Sequence, residues 1–198
     1  MLARVQADFR ALTRGLTALE HEQLPFATAK ALTDAAQAAR IAVRNSLPSV
    51  FDRPTPFTMN AVTIRSANKR NLTAVVYVRE KQAGYLAIEE TGGTATPQKG
   101  VAFVFPKAAG RNQYGNLPKG ALKRAKARKD VFVGKVDGVG GFWRRTAKGV
   151  LQPLAIFYSR ATYRPRFGFR ERVTRIARAT LGPAFREALA QALRTARR

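Results

Sequence analysis

The sequence predicts an α+β protein: N-terminal helices, a central mostly antiparallel β-sheet with long loops, and C-terminal helices. Three observations predict it. Apolar residues recur at helical spacing before residue 50 and again after Phe169. Between these regions, short alternating segments are separated by turns rich in Gly, Pro and Asn. The order helices, strands, helices suits segregated elements and not the alternating units of a parallel sheet. The expected organisation is an N-terminal helical arm over 1–50, a β-rich core over 51–160 with a basic loop at 111–130, and C-terminal basic helices over 161–198, within one structural domain with arms.

The first expected element is a helix over 1–20, because Val5, Phe9, Leu12, Leu16 and Leu19 follow one another at intervals of four, three, four and three. That seam fits either the chain's own core or a neighbouring subunit. Pro25 suits the first turn of a second helix. Phe26, Leu32, Ala36, Ala39, Val43 and Leu47 then share a face, with Ala permitting close approach, and Pro48 is expected to stop the helix. Phe51 to Phe57, with Pro54 and Pro56, reads as an extended connector. Thr58 to Arg65 and Leu72 to Arg79 alternate as strands around a turn at Asn68 to Asn71, and Tyr85 to Glu89 is read as a continuation of the sheet. Thr91 to Gly100 reads as a loop, Val101 to Phe105 as a short strand, and Gly110 to Pro118 as a flexible stretch. Val131 to Val136 and Phe142 to Arg145 predict a hairpin around Asp137-Gly138. Gln152 to Ser159 is the last expected strand. Phe169 to Arg198 is expected to be helical with a break at Gly182-Pro183.

Charge is the abnormal property. Of 198 residues, 36 are Lys or Arg and 12 are Asp or Glu, a formal net charge of +24. Self-repulsion on that scale favours polyanionic partners or acidic protein surfaces. Cys is absent, which excludes disulfides and thiolate metal sites. The N-terminal stretch lacks the continuous apolar centre of a secretory signal, and no apolar run reaches the roughly 18 residues of a membrane-spanning helix, so no membrane partner is expected.

Catalytic constellations are poorly represented. His21 is the single histidine and sits between Glu20 and Glu22, which suits an exposed or helix-capping role. The acids are scattered. Glu89-Glu90 is the one adjacent pair, and neighbours in a strand would point to opposite faces. Gly138 to Gly141 lacks the Lys-Ser/Thr of a phosphate-binding loop. The expectation is therefore no enzyme, no catalytic residue, no cofactor and no metal.

Two basic tracts stand out. The first contains Lys119, Lys123, Arg124, Lys126, Arg128 and Lys129. As a helix it would spread its charges around most of the surface; a solvated loop, phosphate contact and docking to an acidic protein all fit it. The second interleaves Tyr163, Phe167 and Phe169 with Arg160, Arg164, Arg166, Arg170 and further arginines, a mixture suited to subunit interfaces and to nucleic acid. The residues expected at subunit interfaces are Val5, Phe9, Leu12, Leu16, Phe51, Phe57, Tyr163, Arg164, Arg166, Phe167 and Arg170.

Three segments together resemble a known family. One is Phe26-Ala-Thr-Ala-Lys-Ala-Leu-Thr running into Phe51-Asp-Arg-Pro-Thr-Pro-Phe-Thr. The next is the basic insertion at Lys119 to Lys129, followed by Val131-Phe-Val-Gly, Gly141-Phe-Trp-Arg-Arg and the Pro-containing strand at Gln152. The last is the basic helical C-terminus. The arrangement resembles the phage tail-completion and head-tail joining proteins, in particular the lambda-type minor tail protein Z family. The resemblance implies a structural virion protein of the neck or tail, made in the host cytoplasm. It would form a homo-oligomeric ring around the DNA channel, with portal or adaptor and tail proteins as partners and non-specific contact with packaged DNA. The alternative expectation is a basic nucleic-acid-binding protein acting on DNA or associated with ribosomes; a metal-dependent nuclease is disfavoured by the scattered acids.

Overall fold

The computed structural model describes residues 1–6, 18–97 and 102–196. The fold class is α+β, with every strand among the described residues pairing antiparallel and long helices toward both ends of the chain. The chain divides into two units, Met1–Glu90 with Arg166–Arg198, and Thr91–Pro165.

The first unit is built on two long helices, α1 (Ala18–Val50) and α5 (Phe169–Ala196). Along α1 the buried positions Leu24, Ala27, Ala31, Ala35, Ala39, Val43 and Leu47 recur every three or four residues. Along α5 the buried positions are Phe169, Val173, Ala177, Ala188 and Ala192. Ala27 packs with Ala188 and Ala192, whereas Phe51, just past the end of α1, meets Phe167, just before α5. The two helices are therefore antiparallel. A sheet ordered β1-β3-β2 completes this unit: β1 (Leu2–Gln6), β2 (Val62–Arg65) and β3 (Thr73–Val78). Ala74, Val76 and Val78 of β3 join Leu32, Ala36, Val43, Leu47, Phe167 and Phe169 in one core.

Two short helices belong to the same unit, α2 (Pro56–Met59) and α3 (Glu80–Thr91). The expected extended connector is corrected: Phe51 to Arg53 bend, with Arg53 in the left-handed region (φ 46°), and Thr55 is extended just before α2. Pro56 takes a first-turn position of α2, where its missing N–H costs nothing, and the Thr55 hydroxyl accepts from Thr58 N at 3.3 Å.

Among its described residues, the second unit holds α4 (Ala121–Lys126) and six strands. These are β4 (Gly93–Ala95), β5 (Phe103–Pro106), β6 (Val131–Val136), β7 (Val139–Arg145), β8 (Leu151–Tyr158) and β9 (Ala161–Tyr163). They form a four-stranded sheet ordered β5-β8-β7-β6 and a β4-β9 pair. The predicted hairpin is present, with Asp137 (φ 49°) and Gly138 (φ 80°) supplying its left-handed turn. Leu122 and Ala125 of α4 pack on Val131, Phe142, Leu154 and Ala155 of this sheet. Gly141 is required where β7 crosses β8, because a Cβ there would overlap the carbonyl oxygen of Ala155.

Several expectations need correction. The N-terminus is not helical at its start: Leu2–Gln6 is a strand whose Val5 pairs with Ala74, so Val5 belongs to a sheet register. Backbone pairing with β3 prevails over the helical seam, and Ala3 is half-buried between exposed Leu2 and Arg4. Phe9, Leu12 and Leu16 lie outside the described residues. Pro25 does not start a helix and Pro48 does not stop one, since both lie inside α1. Tyr85 to Glu89 is helical, with Gln82, Leu86 and Glu89 buried on one side of α3. Gly182-Pro183 does not break α5. Beyond Pro183, Ala188 and Ala192 are buried against Ala27, and this packing holds the segment in line despite the lost hydrogen bond.

Candidate polyanion-binding surface

Charge is unevenly divided between the units. From Thr91 to Pro165 the chain carries 15 Lys and Arg against two acids, Asp130 and Asp137, a formal +13 of the total +24. No Glu occurs in that unit.

The first basic tract is built in three steps. Asn112 orders the stretch before it: its side-chain oxygen accepts from Tyr114 N and Asn116 N, both at 3.0 Å, so the expected flexible stretch contains a hydrogen-bonded turn. Gly120, at φ 75°, then turns the chain into α4. Leu122 and Ala125 face the sheet, which leaves Lys123, Arg124 and Lys126 exposed. The expectation that a helix would spread the six charges around most of its surface applies to only three of them, because Lys119, Arg128 and Lys129 lie outside α4. α4 is only six residues long, and one side of it is committed to the core.

The six cations of this tract differ in role. The Arg124 guanidinium turns back to donate to the Lys119 carbonyl at 3.1 Å. Arg128 grips Asp130 through two hydrogen bonds of 2.9 and 2.6 Å. That hydrogen bond holds the Asp130 carboxyl below its ordinary value against an opposing effect of burial, and raises the Arg128 guanidinium above its own. The Asp130 carbonyl accepts from Arg145 N at 2.8 Å, tying the end of the basic tract to β7. Arg128 is therefore a structural ion-pair partner. Lys119, Lys123, Lys126 and Lys129 are exposed and remain the groups suited to phosphate contact.

The hairpin adds cations that sequence reasoning passed over. Arg145 lies with its guanidinium 4.4 Å from the centroid of the Phe132 ring, and Lys135 is exposed on the edge strand β6. The available signal was the strand alternation: Phe132 pairs with Trp143, which places Arg145 on the same face of the sheet.

The second tract is divided by the structure. Tyr163 and Arg164 belong to the second unit, Tyr163 half-buried opposite Gly93 and Arg164 exposed. Arg166, Phe167 and Arg170 belong to the first. Phe167 is 0% exposed within the chain's own core, which corrects its assignment to a subunit interface. Phe51 is half-buried, its ring 5.8 Å from that of Phe167 and 5.1 Å from the Arg166 guanidinium. Phe57 is 53% exposed on α2, and Arg170 is exposed on α5.

The adjacent acids Glu89 and Glu90 have structural roles in the first unit. The Glu89 carboxylate receives Arg166 through hydrogen bonds of 2.6 and 3.1 Å, and its carbonyl accepts from the N–H groups of Arg166 and Phe167. The Glu90 carboxylate accepts from Phe169 N at 2.7 Å and Arg170 N at 3.0 Å, capping the positive end of α5. Among the described residues, no group of three or more His, Cys, Asp or Glu is placed to hold a metal ion. None of the helices among them is long and apolar enough to cross a membrane.

No protein-family model, no curated protein and no solved structure matches this chain. The functional reading therefore rests on the chemistry of its own surface: a small unit with a formal excess of 13 positive charges, an aromatic ring beside one of them, Arg145, and one of its two acids, Asp130, held in an ion pair.

Proposed function

We propose that the protein is a non-enzymatic structural subunit of a bacteriophage neck or tail, a tail-completion or head-tail connector protein that assembles as a ring around the DNA channel. One observation carries the reading: the unit Thr91–Pro165 concentrates +13 in 75 residues and exposes Lys119, Lys123, Lys126 and Lys129 around α4. Subunits around a DNA channel face a dense line of phosphates. Cations there offset the field of the polyanion and hold it without reading its sequence. The resemblance of the Phe26, Phe51 and Gly141 segments to tail-completion proteins supports the same placement. The partners are copies of the chain, portal or adaptor proteins, and tail proteins, with packaged DNA as a non-specific contact. The site of action is the virion, after synthesis in the host cytoplasm.

The test is assembly. Purified protein should form a ring-sized oligomer by light scattering, alone or with purified portal and tail components. A lasting monomer that joins neither would overturn the reading. A second reading, a basic nucleic-acid-binding protein, is favoured by the stacking of Arg145 on Phe132. It predicts a monomer that binds generic DNA or RNA and is indifferent to virion components.

A further inference from the structure

The first unit carries a cationic surface that the DNA reading leaves unused. Arg170, Thr174 and Arg178 stand at i, i+4 and i+8 on α5, so they form a row about 12 Å long. Arg175 lies beside the row, and Arg170, Thr174, Arg175 and Arg178 line one shallow depression. A second depression of about 230 Å³ continues from it between α5 and β1, sharing Thr174 and Arg178. Half-buried Leu181 supplies its apolar patch, Val173 and Ala177 lie buried beneath, and Arg4 of β1 stands on its opposite side. Glu171 is the single carboxylate lining either depression. Arg4, Arg170, Arg175 and Arg178 form no ion pair with a described residue.

We infer that this groove docks an acidic amphipathic helix of a partner protein, its carboxylates on the arginine row and its apolar side chains over Leu181. Three arguments select that occupant. Guanidinium groups pair with carboxylates bidentately, as they do with phosphates, and lose little hydration in doing so, so the row suits an acidic protein surface. A nucleic-acid backbone satisfies the arginines but has nothing apolar to place over the half-buried Leu181. A second copy of this chain is a poor occupant, because 12 acids against 36 cations leave it repelled at this surface, and its adjacent acids Glu89 and Glu90 are engaged with Arg166 and the start of α5. The helical repeat also matches, since carboxylates at i and i+8 on the partner would be spaced as Arg170 and Arg178 are, with Thr174 between them able to donate to a third at i+4.

The inference rests on the first unit and stands apart from the ring assignment. The test is fluorescence anisotropy on the full chain with a labelled peptide carrying Glu at i, i+4 and i+8 on one side of a helix and Leu on the other. A scrambled peptide of the same composition and a DNA duplex serve as comparators. Arg175→Glu with Arg178→Glu should weaken peptide binding tenfold or more, and Arg4→Glu, on a different element, should weaken it in the same direction. Lys123→Glu with Lys126→Glu on α4 should leave it unchanged. Both α5 and β1 variants should keep the wild-type melting curve, as all three arginines are exposed. Unaltered peptide binding in these variants, or equal binding of the scrambled peptide, would overturn the inference. An equal loss of duplex binding in Arg175→Glu with Arg178→Glu would also overturn it and make the groove a nucleic-acid surface.

Discussion

Glu89 and Glu90 show how one residue's surroundings set its role. The acids are sequence neighbours on α3, yet one pairs with a guanidinium and the other caps a helix. Phe167 teaches the same lesson for an aromatic residue in an arginine-rich tract. Its ring stands between those of Phe51 and Phe169, at 5.8 and 5.7 Å, fully inside the first unit. Phe167→Ala should therefore destabilise that unit by about 3–5 kcal/mol, the cost of emptying a core aromatic site. Far-UV circular dichroism during urea unfolding would follow it, because both long helices belong to that unit. An interface role alone would leave the monomer's stability unchanged. Asp130 supplies a pH prediction. Its carboxyl is held below the ordinary value chiefly by the hydrogen bond from Arg128, so the pair's contribution is complete above the usual aspartate range and is lost as pH falls through the depressed value. An NMR titration should place its midpoint below that of a free aspartate, and Arg128→Gln should move it back up.

At the scale of elements, packing overrules local propensity in the long helices. Pro183 lies inside α5 and removes a backbone donor, but Phe169, Val173 and Ala177 on one side and Ala188 and Ala192 on the other are all buried. Proline in a helix interior costs up to about 3 kcal/mol relative to alanine. Pro183→Ala should accordingly raise the stability of the first unit by about 1–3 kcal/mol in a denaturant titration; a decrease would mean that α5 depends on the proline's geometry. In the second unit the critical backbone position is Gly141, where β8 leaves no room for a side chain. Gly141→Ala should cost about 1–3 kcal/mol through displacement of β7 from β8. Trp143, the only tryptophan and two residues away on the same strand, reports that unit's unfolding by fluorescence.

At the scale of the whole molecule, the distribution of charge matters more than its total. The second unit holds +13 in 75 residues, whereas the first holds +11 in 123 and, among the described residues, uses part of its acid complement in three ion pairs and a helix cap. Generic duplex DNA should bind with a strong salt dependence, each neutralised phosphate contributing about 0.9 to the slope of log K against log salt. Replacing Lys119, Lys123, Lys126 and Lys129 together by Gln should reduce that slope by about 3 to 4. Arg128→Gln alone should change it little, because Arg128 is occupied by Asp130. An unchanged slope in the fourfold variant would move the DNA contact away from α4.

The α+β class, the hairpin at Asp137-Gly138, the strand at Thr73–Val78 and the cationic tract at 119–129 are legible along the chain, because each depends on local periodicity, turn chemistry or charge. Tertiary structure alone decided that Leu2–Gln6 pairs with β3, that Pro25, Pro48 and Pro183 are carried inside helices, and that Tyr85 to Glu89 is helical. It also decided which cations are free to meet a ligand: Arg128 is engaged by an acid two residues away, Arg166 by one 77 positions earlier, and Arg4 lines a groove with Arg178 of α5. The physical reason is range. Backbone periodicity acts over a few residues and can be read along the chain, whereas burial and ion pairing join residues far apart in sequence.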